Sequence, residues 1–205
     1  MGSEFLTYLR LGVDHIADLT GYDHILFVAA LAAVYTLAEW RRLVWLVTAF
    51  TVGHSITLAL ATLDLVRVEG RLVETLIPVT IVLASLVNIA EWRSRGHWRD
   101  GRAERPAETM RYGKYALALA FGLIHGLGFS TFLRAVLGGE ESIALPLLAF
   151  NVGLELGQLL IVAAVLVIAT FMVRVIGLAR RDWVMVLSGA TAGIALTMVA
   201  ERIGG

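Results

Sequence analysis

The sequence lacks the residues on which several classes of function depend. None of its 205 residues is cysteine, which excludes disulfides, thiolate zinc sites and thiol catalysis. Charged residues make up 17% of the chain against about 25% in soluble domains, and hydrophobic residues reach 58%. Basic and acidic residues number 17 each, a balance that argues against nucleic acid as a partner. Because too little polar surface remains to cover a water-soluble core, the composition indicates an integral membrane protein.

Six apolar stretches are each about long enough to cross a hydrocarbon core of roughly 30 Å as an α-helix. They cover residues 22–38, 43–63, 72–91, 115–137, 143–173 and 183–201. The segment before them, residues 6–20, is too short and too charged to span, but its apolar residues recur at helical spacing. The sequence therefore predicts an all-α integral membrane protein with six transmembrane helices, preceded by a short amphipathic interfacial helix.

The domain organisation is predicted to be simple. Residues 1–5 resemble a cloning-site remnant, which leaves residues 6–205 as a single six-helix transmembrane domain. Twelve of the seventeen basic residues fall in three connections between the stretches, within residues 41–42, 93–114 and 174–181. Because basic loops stay in the cytoplasm, both termini are predicted to lie on the outer, periplasmic side.

Three ionisable residues lie at similar depth in the predicted spans: His54 in the second, His125 in the fourth and Glu155 in the fifth. Ionisable groups are costly in a membrane, so they normally face the protein interior and mark function. A divalent cation would neutralise the carboxylate and use the imidazole lone pairs, and such donors suit nickel, cobalt or zinc. The alternative without metal is that each His bridges helices and that a protonated Glu155 bonds to Asn151 or to a backbone carbonyl.

A second polar group stands at the outer end of the first predicted span. Asp23 and His24 begin that span, and Asp14 and His15 lie in the preceding amphipathic helix. These residues are predicted to supply further ligands or to collect the ion at the entrance, unless the two aspartates only cap helix N-termini. The complete predicted metal set is Asp14, His15, Asp23, His24, His54, His125 and Glu155.

Glycine pairs in G-x-x-x-G spacing flank two of the midplane residues. The pairs are Gly122 with Gly126 beside His125, and Gly153 with Gly157 beside Glu155. Because small residues let helix backbones approach, we expect the fourth and fifth spans to pack directly together. The two three-span halves also share a faint likeness, since residues 50–54 and 121–125 each place a His four residues after a Phe.

The residues described above belong to sequence blocks that resemble those of a known family. Four ordered blocks are similar to signature motifs of the HupE/UreJ family, small membrane proteins associated with hydrogenase and urease accessory functions. The blocks are residues 21–27 (GYDHILF), 50–58 (FTVGHSITL), 122–129 (GLIHGLGF) and 151–158 (NVGLELGQ). The likeness extends over nearly the whole chain from Leu6 onward.

The resemblance implies a six-span protein of the bacterial inner membrane that moves nickel or cobalt. In the family, a His, five residues and then Asp-His form an N-terminal metal motif. Asp23 and His24 match the second half of that motif, whereas His15 precedes Asp23 by seven intervening residues. The resemblance therefore carries Asp23 and His24 over as metal residues.

Two functions from different classes follow from these residues. The first is a nickel or cobalt permease in which Asp23 and His24 collect the ion and pass it to His54, His125 and Glu155. The second is an outward-facing intramembrane metalloenzyme, a zinc-type hydrolase or acyl transferase acting on lipid or lipoprotein, with three protein ligands and a water. A metal-stabilised assembly protein is a third interpretation.

The expected cofactor or cargo is a divalent transition metal, namely nickel, cobalt or zinc. The expected partners are this metal ion and membrane lipid, and nucleic acid is not expected. A second copy of the chain and an accessory protein are both left open as further partners.

Overall fold

The fold is given by a computed structural model, which describes residues 2–94, 108–137 and 143–204. Within these ranges the chain forms eight α-helices and one short 3-10 turn, Leu37–Glu39, and contains no β-strand. The helices are α1 (Gly2–Ile16), α2 (Asp23–Ala32), α3 (Trp40–Thr62), α4 (Gly70–Ser94), α5 (Glu108–Gly128), α6 (Ser130–Leu137), α7 (Ala144–Arg174) and α8 (Arg180–Gly204). The all-α prediction is confirmed for the described residues.

Four helices are long and apolar enough to cross a membrane on their own: α3, α4, α7 and α8. Helices α5 and α6 reach that length only as a pair, which is bent by 51° at Phe129. The described residues thus hold four candidate spans, or five if the bent pair counts as one. The prediction of six spans is not confirmed, because α2 has only 10 residues, about 15 Å of helix.

A capping interaction ends the first predicted span early. The Thr36 hydroxyl donates a 3.0 Å hydrogen bond to the Glu39 carboxylate, which also accepts the Thr36 backbone N–H. The Thr36 side chain in turn accepts the Glu39 backbone N–H, which completes a capping box. The capping box starts a new helical turn, so the chain turns after α2 and enters α3. The apolar stretch 22–38 is therefore one short helix followed by a corner.

The first helix lies inside the bundle. α1 packs lengthwise against α7, and its residues Tyr8 and Ile16 are buried. Its predicted interfacial position is therefore not confirmed. The helix begins at Gly2, and Phe5 packs against the same buried cluster as Tyr8. The interpretation of residues 1–5 as a cloning-site remnant stays a prediction.

Glycines bring α1 and α7 into backbone contact. A Cβ on Gly12 would collide with the backbone carbonyl of Phe150, and a Cβ on Gly153 would collide with that of Leu9. Further along, Gly157 faces Ile16. Contacts therefore advance along both helices together, so α1 and α7 run parallel.

Helices α3 and α5 meet in the same way. A Cβ on Gly53 would collide with the carbonyl of Leu119, and a Cβ on Gly122 would collide with that of Phe50. One turn later, Gly126 lies against the backbone of His54. The two glycine pairs of α5 and α7 thus face α3 and α1, and the prediction that they pack α5 directly against α7 is wrong.

The two glycine interfaces are copies of each other, and they reveal an internal repeat. α1 and α5 share Leu-x-x-Gly-x-x-His, and α3 and α7 share Phe-x-Val-Gly. The matching positions are Leu9, Gly12 and His15 with Leu119, Gly122 and His125, and Phe50, Val52 and Gly53 with Phe150, Val152 and Gly153. The repeat therefore relates α1 to α5 and α3 to α7, unlike the likeness of residues 50–54 to 121–125 expected from the sequence.

The remaining long helices obey the same relation. Ser85 of α4 lies 2.9 Å from Thr191 of α8, hydroxyl to hydroxyl. One turn along, Asn88 of α4 donates a 3.4 Å hydrogen bond to Ser188 of α8. If Ser85 is equivalent to Ser188 and Asn88 to Thr191, the repeat turns the Ser85–Thr191 contact into the Asn88–Ser188 contact. The chain is thus built from two related halves, α1–α4 and α5–α8.

The two halves point in opposite directions. Thr36 and Leu37, just before α3, line a cavity with Val173 and Arg174 at the end of α7. Toward the other end of α3, Leu58 packs in one cluster with residues from the first part of α7. Related helices α3 and α7 are therefore antiparallel, and the fold is an inverted repeat.

Each half begins with a broken helix. Residues 17–22 separate α1 from α2, and Phe129 separates α5 from α6. Arg180, which follows α7, donates a 2.6 Å hydrogen bond to the carbonyl of Val34, which follows α2. Because α1 runs parallel to α7, this contact shows that α2 continues in the direction of α1. The two breaks lie beside the related residues His15 and His125.

Candidate metal centre

Four of the five histidines converge where the broken helices meet α3. His15 lies in the last turn of α1, His24 in the first turn of α2, His54 in the middle of α3 and His125 near the end of α5. The ring centre of His24 lies 4.7 Å from that of His15, 5.9 Å from that of His54 and 5.1 Å from that of His125. His15 and His54 are 6.1 Å apart. We call these four side chains the histidine cluster.

The cluster is largely buried, and several of its ring nitrogen atoms lack protein partners. His54 and His125 are fully buried, and His24 is 4% exposed. Among the described residues, no hydrogen-bond partner is found for Nε2 of His15, Nε2 of His24, Nδ1 of His125 or either ring nitrogen of His54. A buried polar atom without a partner costs about 1–3 kcal/mol. Five such atoms lie together in this cluster.

Asp23 forms the side of the cluster that opens toward solvent. Its Oδ1 lies 3.0 Å from Nδ1 of His24, and its side chain retains 22% exposure. The neighbouring residues Thr20, Gly21 and Tyr22 in the break between α1 and α2 are exposed. A carboxylate therefore lies between the histidine cluster and the exposed break.

Thr80 of α4 holds the opposite side. Its hydroxyl oxygen lies 2.9 Å from Nε2 of His125, and both side chains are buried. No sequence pattern predicts this contact, because a threonine inside an apolar stretch is common in membrane helices. Its nearest sequence cue is Pro78, two residues earlier in the same helix.

Aromatic rings enclose the cluster on two sides. Phe129 at the second break lies 3.8 Å from His15, centre to centre, and stacks on Phe150. On the side toward the C-terminal end of α2, Phe27 and Phe50 lie 4.9 and 5.1 Å from His125. Apolar rings thus line two sides of the cluster.

Glu155 lies in a separate polar contact between α7 and α3. It accepts a 2.6 Å hydrogen bond from the Thr48 hydroxyl, and Gln158 accepts one of 2.7 Å from the Thr51 hydroxyl. Nε2 of Gln158 and Oδ1 of Asn151 are buried without a partner among the described residues. The contacts of Glu155 thus join it to Thr48 and not to the histidine cluster.

Asp14 points away from the cluster. Its side chain is 65% exposed and lies 3.6 Å from the Arg10 guanidinium. Of the seven residues in the predicted metal set, the structure thus brings together His15, Asp23, His24, His54 and His125. As placed, no three His, Asp or Glu side chains of the described residues are close enough together to hold a metal ion.

Comparison with known proteins supplies the family. A family model described as HupE / UreJ protein matches residues 1–202, which is essentially the full chain. The chain belongs to the HupE/UreJ family. This family is linked to nickel and cobalt accessory or transport functions, and the apolar helices agree with a multi-pass membrane protein. No curated protein and no solved structure matches the chain.

Membership of the HupE/UreJ family relates the site to a class of ion. Nickel and cobalt are divalent metals that bind imidazole nitrogen well. The histidine cluster offers imidazole nitrogens and one adjacent carboxylate. The donor chemistry of the buried cluster therefore agrees with the metals to which the family is linked.

Proposed function

We propose that this HupE/UreJ protein is a permease for nickel or cobalt ions and that the histidine cluster binds the ion during passage. The observation that carries the proposal is the set of buried, unpartnered imidazole nitrogens on four different helices. A neutral imidazole has one N–H donor and one lone pair, and a lone pair in an apolar site needs a proton donor or a metal. A divalent cation would satisfy several of these nitrogens at once.

The spacing of the rings supports this assignment. A metal about 2.0–2.1 Å from each imidazole nitrogen holds two ring centres roughly 4.5–5.5 Å apart, depending on coordination geometry. The ring centres of His24 lie 4.7–5.9 Å from those of the other three histidines. The distances from His24 to His15 and His125 fall within that range, and the distance to His54 is longer, so a shared ion would require His54 to move toward His24.

The inverted repeat favours a permease over an enzyme. Transporters built from inverted repeats bind their substrate near the middle of the membrane, at the interface of the repeats and beside broken helices. His15 and His125 occupy equivalent positions in the two halves, each next to a break. An enzyme would need one open face, whereas an inverted repeat provides two equivalent faces that open in turn.

The proposed path has three parts. Asp23 and His24 receive the ion at the break between α1 and α2. His15, His54 and His125 complete its binding, and Glu155 with its neighbours on the α3–α7 interface provides oxygen donors for the next step. In this proposal the protein lies in the bacterial inner membrane with both termini in the periplasm, since the basic loops mark the cytoplasmic side.

The test combines equilibrium binding with uptake. Nickel and cobalt binding is measured by calorimetry on purified protein in nanodiscs, and uptake by proteoliposomes enclosing a metal-sensitive dye. We expect His54→Ala and His125→Ala to weaken binding by more than the roughly 10- to 100-fold loss typical when only a partner of a ligand is removed. Uptake should fall in parallel.

His97→Ala is the matched control, because His97 is the fifth histidine and lies in the basic loop outside the described residues. It should bind and transport like the parent. Parent protein that binds neither metal would overturn the proposal. Parent protein that retains a tightly bound metal but supports no uptake would favour the metalloenzyme instead.

A further inference from the structure

The hydrogen bonds of Thr80 determine where its proton lies. The Thr80 hydroxyl oxygen lies 2.7 Å from the backbone carbonyl oxygen of Ile77 and 2.9 Å from Nε2 of His125. A carbonyl oxygen cannot donate, and two oxygens at 2.7 Å repel unless a proton lies between them. The single hydroxyl proton therefore points at Ile77, which leaves the Thr80 oxygen as an acceptor.

The ring of His125 must then supply the other proton. Because the Thr80 oxygen accepts, Nε2 of His125 carries the hydrogen. A neutral imidazole has only one N–H, so Nδ1 of His125 bears a free lone pair. That atom is buried and has no partner among the described residues.

We propose that Thr80 is a positioning residue that fixes the Nε2–H tautomer of His125 and thereby makes Nδ1 the metal-binding atom. This inference rests on the proposed function, since it assigns a ligand atom within the same cluster. Thr80 itself does not touch the ion. Its role is to orient the ring and to determine which of its two nitrogens carries the hydrogen.

At His24, the contact with Asp23 favours the opposite tautomer, with the hydrogen on Nδ1. The carboxylate contacts Nδ1 of His24, so Nδ1 carries the hydrogen and Nε2 is free. The cluster therefore presents Nε2 from His24 and Nδ1 from His125. The rings of His24 and His125, which lie 5.1 Å apart, thus offer different nitrogens. The reason is that Asp23 contacts His24 at Nδ1 and Thr80 contacts His125 at Nε2.

Two substitutions of Thr80 separate the effect of its hydroxyl group from the effect of its side-chain shape. Thr80→Val is nearly isosteric but removes the hydroxyl, and Thr80→Ser keeps the hydroxyl and removes the methyl group. The control is Thr170→Val, because the Thr170 hydroxyl donates only to the carbonyl of Leu166 in its own helix. Thr80→Ala replaces Thr80→Val if the valine variant does not fold.

The first measurement is the tautomer of His125 in metal-free protein, from ¹⁵N spectra of histidine-labelled samples assigned by comparison with His125→Asn. The parent, Thr80→Ser and Thr170→Val should show the Nε2–H form. Thr80→Val should show a mixture of both tautomers. The second measurement is nickel affinity, which should fall roughly 10- to 100-fold in Thr80→Val and stay unchanged in Thr80→Ser and Thr170→Val.

The outcomes distinguish the two proposals. If Thr80→Val keeps both the Nε2–H form and the affinity of the parent, Thr80 has no positioning role. If Thr80→Ser behaves like Thr80→Val, packing and not the hydroxyl is responsible, which also overturns the inference. If the parent binds no metal, the proposed function and the ligand assignment both fail, while the spectra still decide whether Thr80 fixes the tautomer.

Discussion

The Asp23 carboxylate contacts His24 twice: its Oδ1 accepts the backbone N–H of His24 at 2.8 Å and lies 3.0 Å from Nδ1 of the same residue. One oxygen therefore accepts a backbone N–H in the first turn of α2 and also orients the imidazole. A carboxylate in this position holds the orientation of the ring.

Asp23→Asn separates these two roles. We expect nickel affinity to fall by about 10-fold or more, because the amide can still accept hydrogen bonds but no longer carries the charge that favours a bound cation. Calorimetry at equal folded yield measures the change. The matched control is Asp182→Asn, since Asp182 also lies in the first turn of a helix. Equal affinities for both variants and the parent would leave Asp23 with no role beyond its hydrogen bond to the His24 backbone.

Glu155→Gln should separate binding from transport. The Glu155 carboxylate is hydrogen-bonded to Thr48 on the α3–α7 interface, so the affinity of the histidine cluster should stay within about twofold of the parent value. Uptake should fall by about 10-fold or more, equivalent to about 1.4 kcal/mol of added barrier. Glu201→Gln, at the exposed end of α8, serves as the control. A loss of affinity as large as that of His54→Ala would instead place Glu155 in the coordination sphere, as the sequence suggests.

Gly12→Ala should destabilise the α1–α7 pair. The added Cβ would collide with the Phe150 carbonyl, and overpacking of this kind costs about 1–3 kcal/mol. Gly189→Ala on α8 is the control, because nothing lies within 4 Å of the Cβ it would add. It should be neutral or stabilising by up to about 1 kcal/mol. Unfolding in mixed micelles measures both, and equal midpoints would contradict the close packing.

Single cysteines can test whether α1 and α2 together cross the membrane, since the chain has no native cysteine. Leu65→Cys, between α3 and α4, and Ile176→Cys, between α7 and α8, replace exposed residues at opposite ends of the bundle. An impermeant maleimide should label them from opposite sides. Ser3→Cys, near the start of α1, should label from the same side as Leu65→Cys. Labelling of Ser3→Cys with Ile176→Cys would mean that the broken pair does not cross.

The corner between α3 and α4 should show a weak dependence on acid. Hydrogen bonding from Arg67, with the charge of Arg134, lowers the pKa of Asp64 from 3.8 to about 2. A group whose pKa is lowered on folding contributes stability above its unfolded pKa and loses it as the pH falls through its folded pKa. The unfolding midpoint of the parent should therefore drop more between pH 5 and pH 2 than that of Asp64→Asn. Asparagine tolerates the positive φ of 62° at this position, so the comparison isolates the charge.

The sequence by itself determined that the chain is helical and membrane-embedded. Five of the six apolar stretches became helices or a bent pair of helices of spanning length. This works because a bilayer requires about 20 apolar residues in succession, a signal that depends on composition and length alone. It failed for residues 22–38, where the capping interaction of Thr36 with Glu39 overrides the apolar run.

Only the tertiary structure decided which of the candidate residues meet. His54 and His125 are embedded in long apolar helices, and the cost of burying a polar group was enough to mark them in the sequence. Whether Glu155 joins them depends on the face that α7 turns toward α3. That rotation is set by the contact of Gly153 with Leu9 on α1, a pairing of residues more than a hundred positions apart.

The inverted repeat depends on the tertiary structure for the same reason. Three matched residues in a Leu-x-x-Gly-x-x-His or Phe-x-Val-Gly pattern recur easily in an apolar chain, so the motifs carry no weight until their contacts are known. In the fold, Gly12 meets Phe150 as Gly122 meets Phe50, with the partner helices exchanged between the halves. Composition shows that a membrane helix is apolar. Only the packed structure shows which helix backbone each glycine contacts.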